Sequence, residues 1–443
     1  MFTIGEIVRY GPNRYSFSSP SAQKTIYGHG AKFPKSSWYA TWQNPHPDQW
    51  SLFADQSIPR HSENRRQYQS AYTMSSLVNY ESYVDECADL FSQRLQEVAS
   101  AGAYADMGHW LQCYAFDVIG MITFSKRLGF LDKGEDIRGI LVALEDLLWY
   151  ATLTGIYSWL HKYLAPIRNF LAGPKGTGRA YVMKFTQECI MEHQQEHAKG
   201  IPVDGAEEGK GTSMDFLTKF FKKNADDPKS FSMYHLTVGC VSNMTAGSDT
   251  TAISLSAILY YMLKNPQTFE TLRQEIDERQ REGKIGHYIT FKESQDMPYL
   301  QAVMKEALRM HPATGLPLER VVPAGGARIC DRFFPEGVSC CVYQFRVWRA
   351  DRLDRQSSEP TPGLPIATRQ FSVLTHTCSG LSAGSAPTKR SLVSWSEIGC
   401  RYVTLFGMCR HCLPCSFPLS ERHSSSITFS RYLSQPHRLS YLV

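Results

Sequence analysis

The residues best placed to do chemistry lie together at Ala246-Gly247-Ser248-Asp249-Thr250-Thr251. A carboxyl beside an alcohol is a proton-handling pair, since the acid can hold or release a proton that the hydroxyl passes on. Gly247, lacking a Cβ, lets a flat ligand approach the backbone closely. The segment is odd for a helix, because Gly, Ser, Asp and Thr each weaken a helix interior. Ser and Thr hydroxyls can, however, bond back to the preceding carbonyl turn, and helix irregularities often mark functional sites. An N-cap or turn is the competing reading. Apolar helical patterning on both sides favours a continuous helix. A second candidate is Glu306-Ala307-Leu308-Arg309, where the acid and base stand three apart. Alone, such a pair reads as a solvated helix face. The same holds for the basic cluster His61, Arg65 and Arg66.

The elements that would position these residues are mostly helices. Ile4 to Ser18 alternates weakly around Gly11-Pro12, which predicts two short strands and a turn. Residues 38–58, rich in Trp, Pro, Asn and Asp, read as a long loop. Tyr83, Cys87, Leu90, Phe91, Leu95 and Val98 form a helical stripe ending before Gly102. An apolar helix is predicted over 106–124, and further helices over 138–198 with breaks at Pro166 and Pro174. The Gly-rich segment 200–212 reads as an exposed linker. The longest predicted helix, 232–264, carries the candidate pair and stops at Asn265-Pro266. That Pro opens the next helix, and Gly283 lies near its end. Another runs from Asp296 and Pro298 to before Pro312. Val321-Val322 and Arg328-Ile329-Cys330 read as short strands around a Gly325-Gly326 turn. The fold class is mainly α with a small β region.

Composition bounds the rest. With 443 residues, 42% of them hydrophobic, the chain can bury a large core. A net charge of +5 points to no nucleic-acid partner. The charge is uneven, because residues 341–443 hold 12 Lys plus Arg against five acids. That stretch is also rich in Ser and lacks a sustained period, so 1–338 reads as the body and 339–443 as a divergent tail. An altered reading frame, altered splicing or a largely disordered extension would each give such a tail. The widely spaced cysteines of the body suit reduced thiols. No apolar run approaches the length needed to span a bilayer, and no signal peptide precedes Gly5-Glu6-Ile7-Val8-Arg9-Tyr10. Asn243-Met244-Thr245 fits a glycosylation sequon inside the long helix and reads as silent.

Taken in order and on separate helices, Ala246 to Thr251 and Glu306 to Arg309 resemble the central-helix signature and the Glu-x-x-Arg motif of the cytochrome P450 enzymes. Leu316-Pro317-Leu318-Glu319-Arg320 and Phe333-Phe334-Pro335-Glu336-Gly337 are similar to filamentous-fungal, pisatin-demethylase-like members that tailor secondary metabolites. Ile7 to Asn13 resembles their first strand, and Phe116-Asp117-Val118-Ile119-Gly120 a recurrent core helix. The resemblance covers residues 4–338. It implies a cytochrome P450 fold, incomplete at its C-terminus, and a haem-thiolate monooxygenase using haem b. The reaction would hydroxylate or epoxidise a small apolar metabolite with O2, taking electrons from NADPH through a separate NADPH-cytochrome P450 reductase. By the same resemblance, Asp249 and Thr250 manage protons beside Ala246 and Gly247. Glu306 and Arg309 brace the core, while Arg65 and Arg320 pair with haem propionates. The family implies the endoplasmic reticulum membrane surface. The chain begins almost at the first strand, without the family's anchor, so a cytoplasmic location is the other expectation.

The family pattern departs after Val338. Trp348-Arg349-Ala350-Asp351-Arg352 resembles the stretch bearing the third member of the Glu-Arg-Arg set, making Arg352 the candidate partner of Glu306 and Arg309. Phe371 to Gly380 keeps Phe, Cys and the last Gly at the spacing of the iron-ligand loop, which makes Cys378 the candidate axial ligand. Leu374 stands where that loop needs Gly, and His376 where it has Arg. An unliganded Cys378, in a catalytically inactive remnant of the family, is the rival reading. Cys409-x-x-Cys412-x-x-Cys415, near Cys400 and His411, has spacings that suit zinc or an iron–sulfur cluster, with chance enrichment the plainer account.

Overall fold

A computed structural model describes residues 6–43, 49–173, 176–198 and 214–342. At the N-terminus β1 (Ile7–Gly11) and β2 (Arg14–Phe17) pair antiparallel. Asn13 closes their turn at φ 54°, a left-handed conformation that Asn tolerates. Then comes α1 (Pro20–Tyr27), with Ser19 capping its first turn and Pro20 at its start. The expected loop over 38–58 is partly wrong. Ser37–Trp42 winds into a 3-10 helix capped by Ser36, because Trp38 and Tyr39 have a buried face to fill. Gly155 makes room for it, since a Cβ there would sit 2.4 Å from Trp38 Nε1.

The helical body follows as α2 (Ile58–Tyr68), α3 (Met74–Val78), α4 (Glu81–Ser100) and α5 (Met107–Phe124). Next are α6 (Phe130–Lys133), α7 (Ile140–Ile156), α8 (His161–Leu171), α9 (Gly178–Ala198) and α10 (Phe216–Asp226). Pro166 does not break the chain as expected but lies inside α8. That helix is exposed along much of its length, so water can satisfy the carbonyl that Pro166 leaves without a donor. Pro174 and the linker 200–212 lie outside the described residues.

The 32-residue α11 (Met233–Lys264) runs unbroken through the candidate site. A capping box between Ser232 and His235 starts it, and α12 (Pro266–Arg281) begins where it stops. Then come α13 (Phe291–Gln295) and α14 (Pro298–Met310). α11 packs most extensively on α5, and α14, α9 and α10 also lie against it.

The chain returns to the sheet as β3 (Arg320–Val321), β4 (Ala327–Ile329), β5 (Arg332–Phe334) and β6 (Ser339–Val342). The expected Gly325-Gly326 turn lies ahead of β4, with Gly326 N–H donating to Pro323 O at 3.1 Å, and β4 and β5 form a separate hairpin whose turn is Cys330-Asp331. Both turn residues have positive φ, as a tight two-residue hairpin loop requires. β6 lies beyond the boundary drawn at 338 and is paired on both sides, parallel to β2 and antiparallel to β3. A small core of Phe17, Ile26, Ile329, Phe334 and Val342 seals this region. The larger core fills the helical body.

One sequence expectation about membranes needs correction. Ile137–Ile156 is long and apolar enough to cross a bilayer by length and composition, with mean hydropathy 1.4 and 28% of the segment buried. Glu145 and Asp146 interrupt its apolar run, which hid it from a reading of unbroken apolar stretches.

Candidate active site

Around the candidate pair, four hydroxyls turn back on α11. Thr245 Oγ1 donates to Val241 O at 2.9 Å, Ser248 Oγ to Met244 O at 2.7 Å, Thr250 Oγ1 to Ala246 O at 2.7 Å and Ser254 Oγ to Thr250 O at 2.7 Å. These bonds explain how a segment of weak helix formers stays helical: each hydroxyl is satisfied by the helix itself. The turn reading therefore falls. Gly247, Ser248, Asp249, Thr250 and Thr251 are buried, whereas Ser242, Thr245, Ala246, Ile253 and Ser256 are only partly so. Those five recur at helical spacing and share one face of the central helix with the buried Asp249.

Asp249, 5% exposed, points at α5, where Gln112 Nε2 donates to Oδ1 at 2.8 Å. Burial raises its carboxyl pKa to about 6; the Gln112 hydrogen bond lowers it and the field of Glu145 adds to the rise. The group can therefore hold or give up a proton near neutrality. Gln112 had no signal in the sequence, because 137 positions separate it from Asp249.

Glu306 and Arg309 form two hydrogen bonds, Nε to Oε2 and Nη2 to Oε1, both 2.7 Å. Their side chains are 8% and 13% exposed, so this is a buried fork and not the solvated pair that spacing alone suggests. The ion pair with Glu306 favours the charged guanidinium and raises the Arg309 pKa.

Arg65 and Arg320, 255 positions apart in sequence, both act electrostatically on His61, as does Lys35, a residue that the sequence reading missed. Burial, then Lys35 and Arg65, push the His61 pKa down to about 4; Asp55 opposes them, and Arg320 adds a smaller lowering. Asp55 is itself engaged by Arg60, at 3.0 and 2.8 Å. Arg320 is held by Tyr39 OH at 2.9 Å and lies over the rings of Tyr27 and Tyr39. Its neighbour Glu319, 1% exposed, accepts from Arg14, Tyr10 and Ser36 at 2.7–2.8 Å. Three cations thus act on one half-buried imidazole, which favours carboxylates nearby, although the Lys35 ammonium is already bonded to the carbonyls of Leu52 and Phe53 at 2.8 and 2.9 Å.

Residues 8–352 match the family model described as Cytochrome P450. The chain belongs to the cytochrome P450 family. It is 38% identical to a cytochrome P450 monooxygenase of Aspergillus terreus over 339 residues, 75% of this chain and 67% of that protein. It is 37% identical to pisatin demethylase of Fusarium vanettenii over 338 residues, 76% of this chain and 63% of that protein. It also resembles the cytochrome P450 monooxygenase cicH of Emericella nidulans, 34% identical over 359 residues that make up 78% of this chain and 68% of that one. The chain thus spans about two thirds of the length of these relatives, and somewhat less of pisatin demethylase.

The described residues fit the haem of a cytochrome P450 in two respects. Beside the partly buried Ala246 the central helix carries Gly247, which adds no side chain, and the cations Arg65 and Arg320 near His61 suit the two propionates. Arg352, the candidate third partner of Glu306 and Arg309, and Cys378, the candidate iron ligand, lie outside the described residues. So do Cys400, Cys409, Cys412 and Cys415. Among the described residues no group of three or more His, Cys, Asp or Glu could hold a metal ion. Asn243 of the sequon is fully buried, and its side chain bonds Tyr72 and Thr123.

Proposed function

We propose that this chain is a haem-thiolate monooxygenase of fungal secondary metabolism, adding one oxygen atom of O2 to a small apolar metabolite by hydroxylation or epoxidation. Electrons would come from NADPH through a separate flavoprotein reductase. The observation that carries the reading is the buried acid–alcohol pair, Asp249 and Thr250, in an unbroken helix. Haem, when bound, supplies the iron that activates dioxygen. Arg65 and Arg320 would hold its propionates, and Cys378 would supply the thiolate. Thr250 presents a hydroxyl whose oxygen is fixed by its bond to Ala246 O. Asp249 holds the proton that the hydroxyl passes on, and its burial keeps bulk water away from that proton.

A membrane-surface location fits the exposed apolar face of α7 and α8. Trp149, Leu153 and Ile156 continue into Trp159, Tyr163 and Phe170, all between 47% and 85% exposed. Trp and Tyr with flanking Lys162 and Arg168 suit the bilayer interface.

A second reading, an inactive remnant, is favoured by the family match stopping at Arg352, before Cys378. One spectrum separates the two. Reduced protein treated with carbon monoxide shows the red-shifted Soret band of thiolate-bound haem if the monooxygenase reading holds, and Cys378→Ala abolishes it. A preparation loaded with haem that lacks the band is the remnant.

A further inference from the structure

We propose that Gln112 on α5 is the positioning residue for the Asp249 carboxyl, its side-chain amide fixing where that carboxyl sits and how readily it exchanges a proton. The proposal rests on the reading of Asp249 as the proton-holding group, and it adds a residue that neither the sequence motif nor the comparisons point to. Among the described residues, Gln112 is the one side chain hydrogen-bonded to Asp249. It sits on the helix that packs most extensively against α11, so its position is set by the core. Asp106 caps the start of α5, accepting from His109 N at 3.2 Å. Near its end, Asp117 anchors the following turn. Gln112 is half-buried whereas Asp249 is 5% exposed, so the amide links the buried carboxyl to a less buried position on α5.

The chemistry of an amide suits this place. A cation at position 112 would hold Asp249 ionised, because an opposite charge at hydrogen-bond range lowers a carboxyl pKa. An apolar residue would leave the buried acid neutral. Gln carries both a donor and an acceptor: Nε2 donates to the carboxylate, and after a turn of the amide Oε1 accepts from the carboxylic acid. Both forms of Asp249 thus find a partner in the same side chain, and neither is trapped.

The other charged groups leave this control to Gln112. Glu145 of α7 is the charged neighbour that acts on Asp249, and it favours the neutral acid. On α5, His109 Nε2 meets Gly134 O at 2.8 Å. His193 of α9 is bonded to Asp215 ahead of α10, at 3.0 Å. On α10, Lys219 reaches Ser76 and Tyr80, and Lys223 reaches the Gln67 carbonyl. On α14, Glu306 and Arg309 are bonded to each other.

The test is an infrared titration of the full chain, with the Asp249 carboxyl band isolated by subtracting the spectrum of Asp249→Asn. The wild-type midpoint is expected near pH 6. Gln112→Leu moves it up, and Gln112→Lys moves it down, each by about one pH unit or more. If Gln112→Leu fails to fold, judged by its near-ultraviolet dichroism, Gln112→Glu keeps the length and moves the midpoint up through like charge. Midpoints that stay within a few tenths of a unit of wild type in folded variants overturn the proposal, because a merely space-filling Gln112 would leave them there. The titration needs no haem. A missing carbon monoxide band with shifted midpoints removes the monooxygenase reading and leaves the pairing intact; the reverse outcome removes only the role of Gln112.

Discussion

Asp249 is a carboxyl whose burial opposes its charge, and that opposition has a sign in stability. Its folded-state pKa, about 6, lies above its ordinary value of 3.8. The folded chain therefore binds the proton more tightly than the unfolded one, and stability falls as pH rises from about 4 through 6. Asp249→Asn is expected to remove that fall and to be more stable than wild type at pH 7, by roughly 2–3 kcal/mol at most. Urea midpoints at pH 4.5 and pH 7 measure it. His61 pulls the other way: its pKa, lowered to about 4, gives stability that is full above 6.5 and lost as pH falls toward 4. The titration of Asp249→Asn therefore shows the slope of His61 unmasked. Arg309 poses a different question, since removing it takes away the two hydrogen bonds that its guanidinium gives the buried Glu306 carboxylate. Arg309→Met is expected to cost roughly 3–5 kcal/mol, and Glu306→Gln added to it to recover part of that loss. Chemical unfolding of the two variants checks this. Asp249 and Thr250 were legible in the sequence because they are neighbours in it. Gln112 and Lys35 were not, because their roles exist only once distant segments meet.

Among the elements, α5 shows how one buried carboxylate and one glycine can shape the turn that follows a helix. The Asp117 carboxylate accepts from the backbone N–H groups of Leu128, Gly129, Phe130 and Leu131, at 2.7–3.3 Å. It thereby satisfies the donors of the turn into α6, although burial raises its pKa. Three residues later, Gly120 lets that turn close in, since a Cβ there would lie 2.8 Å from both Lys126 O and Leu128 Cγ. Asp117→Ala is expected to lose roughly 2–4 kcal/mol, and Gly120→Ala roughly 1–3 kcal/mol through overpacking. Thermal unfolding checks both, with the far-ultraviolet spectrum kept in each. Helix ends were legible wherever capping chemistry marks them, as at Ser232, Asn265-Pro266 and Pro298. They were misread at Pro166, whose place on an exposed helix overrides its usual effect. The loop reading of 38–58 failed for a related reason. Trp38 and Tyr39 wind the backbone to fill a space made by Gly155, more than a hundred residues away.

At the scale of the whole molecule, the mainly helical class with a small sheet followed from periodicity, whereas the strand order did not, because it joins the two ends of the described chain. The surface was equally hidden. The apolar stripe of α8, Tyr163, Leu164, Ile167, Phe170 and Leu171, has the spacing of a helix meant to be covered, yet it faces outward. Binding to vesicles of anionic lipid is therefore expected, and Trp159→Glu with Phe170→Glu should weaken it at least several-fold. Cosedimentation of wild type and double variant measures that. The pairing of β2 with β6 has its own consequence in time. Arg14 lies opposite Ser339, 325 residues away along the chain. A ribosome adding about 5–20 residues each second takes roughly 16–65 seconds to deliver that partner strand. For that interval the inner edge of β2 stands open on the nascent polypeptide. A chaperone that shields strand edges would thus affect the yield of this protein without touching any residue of its active site.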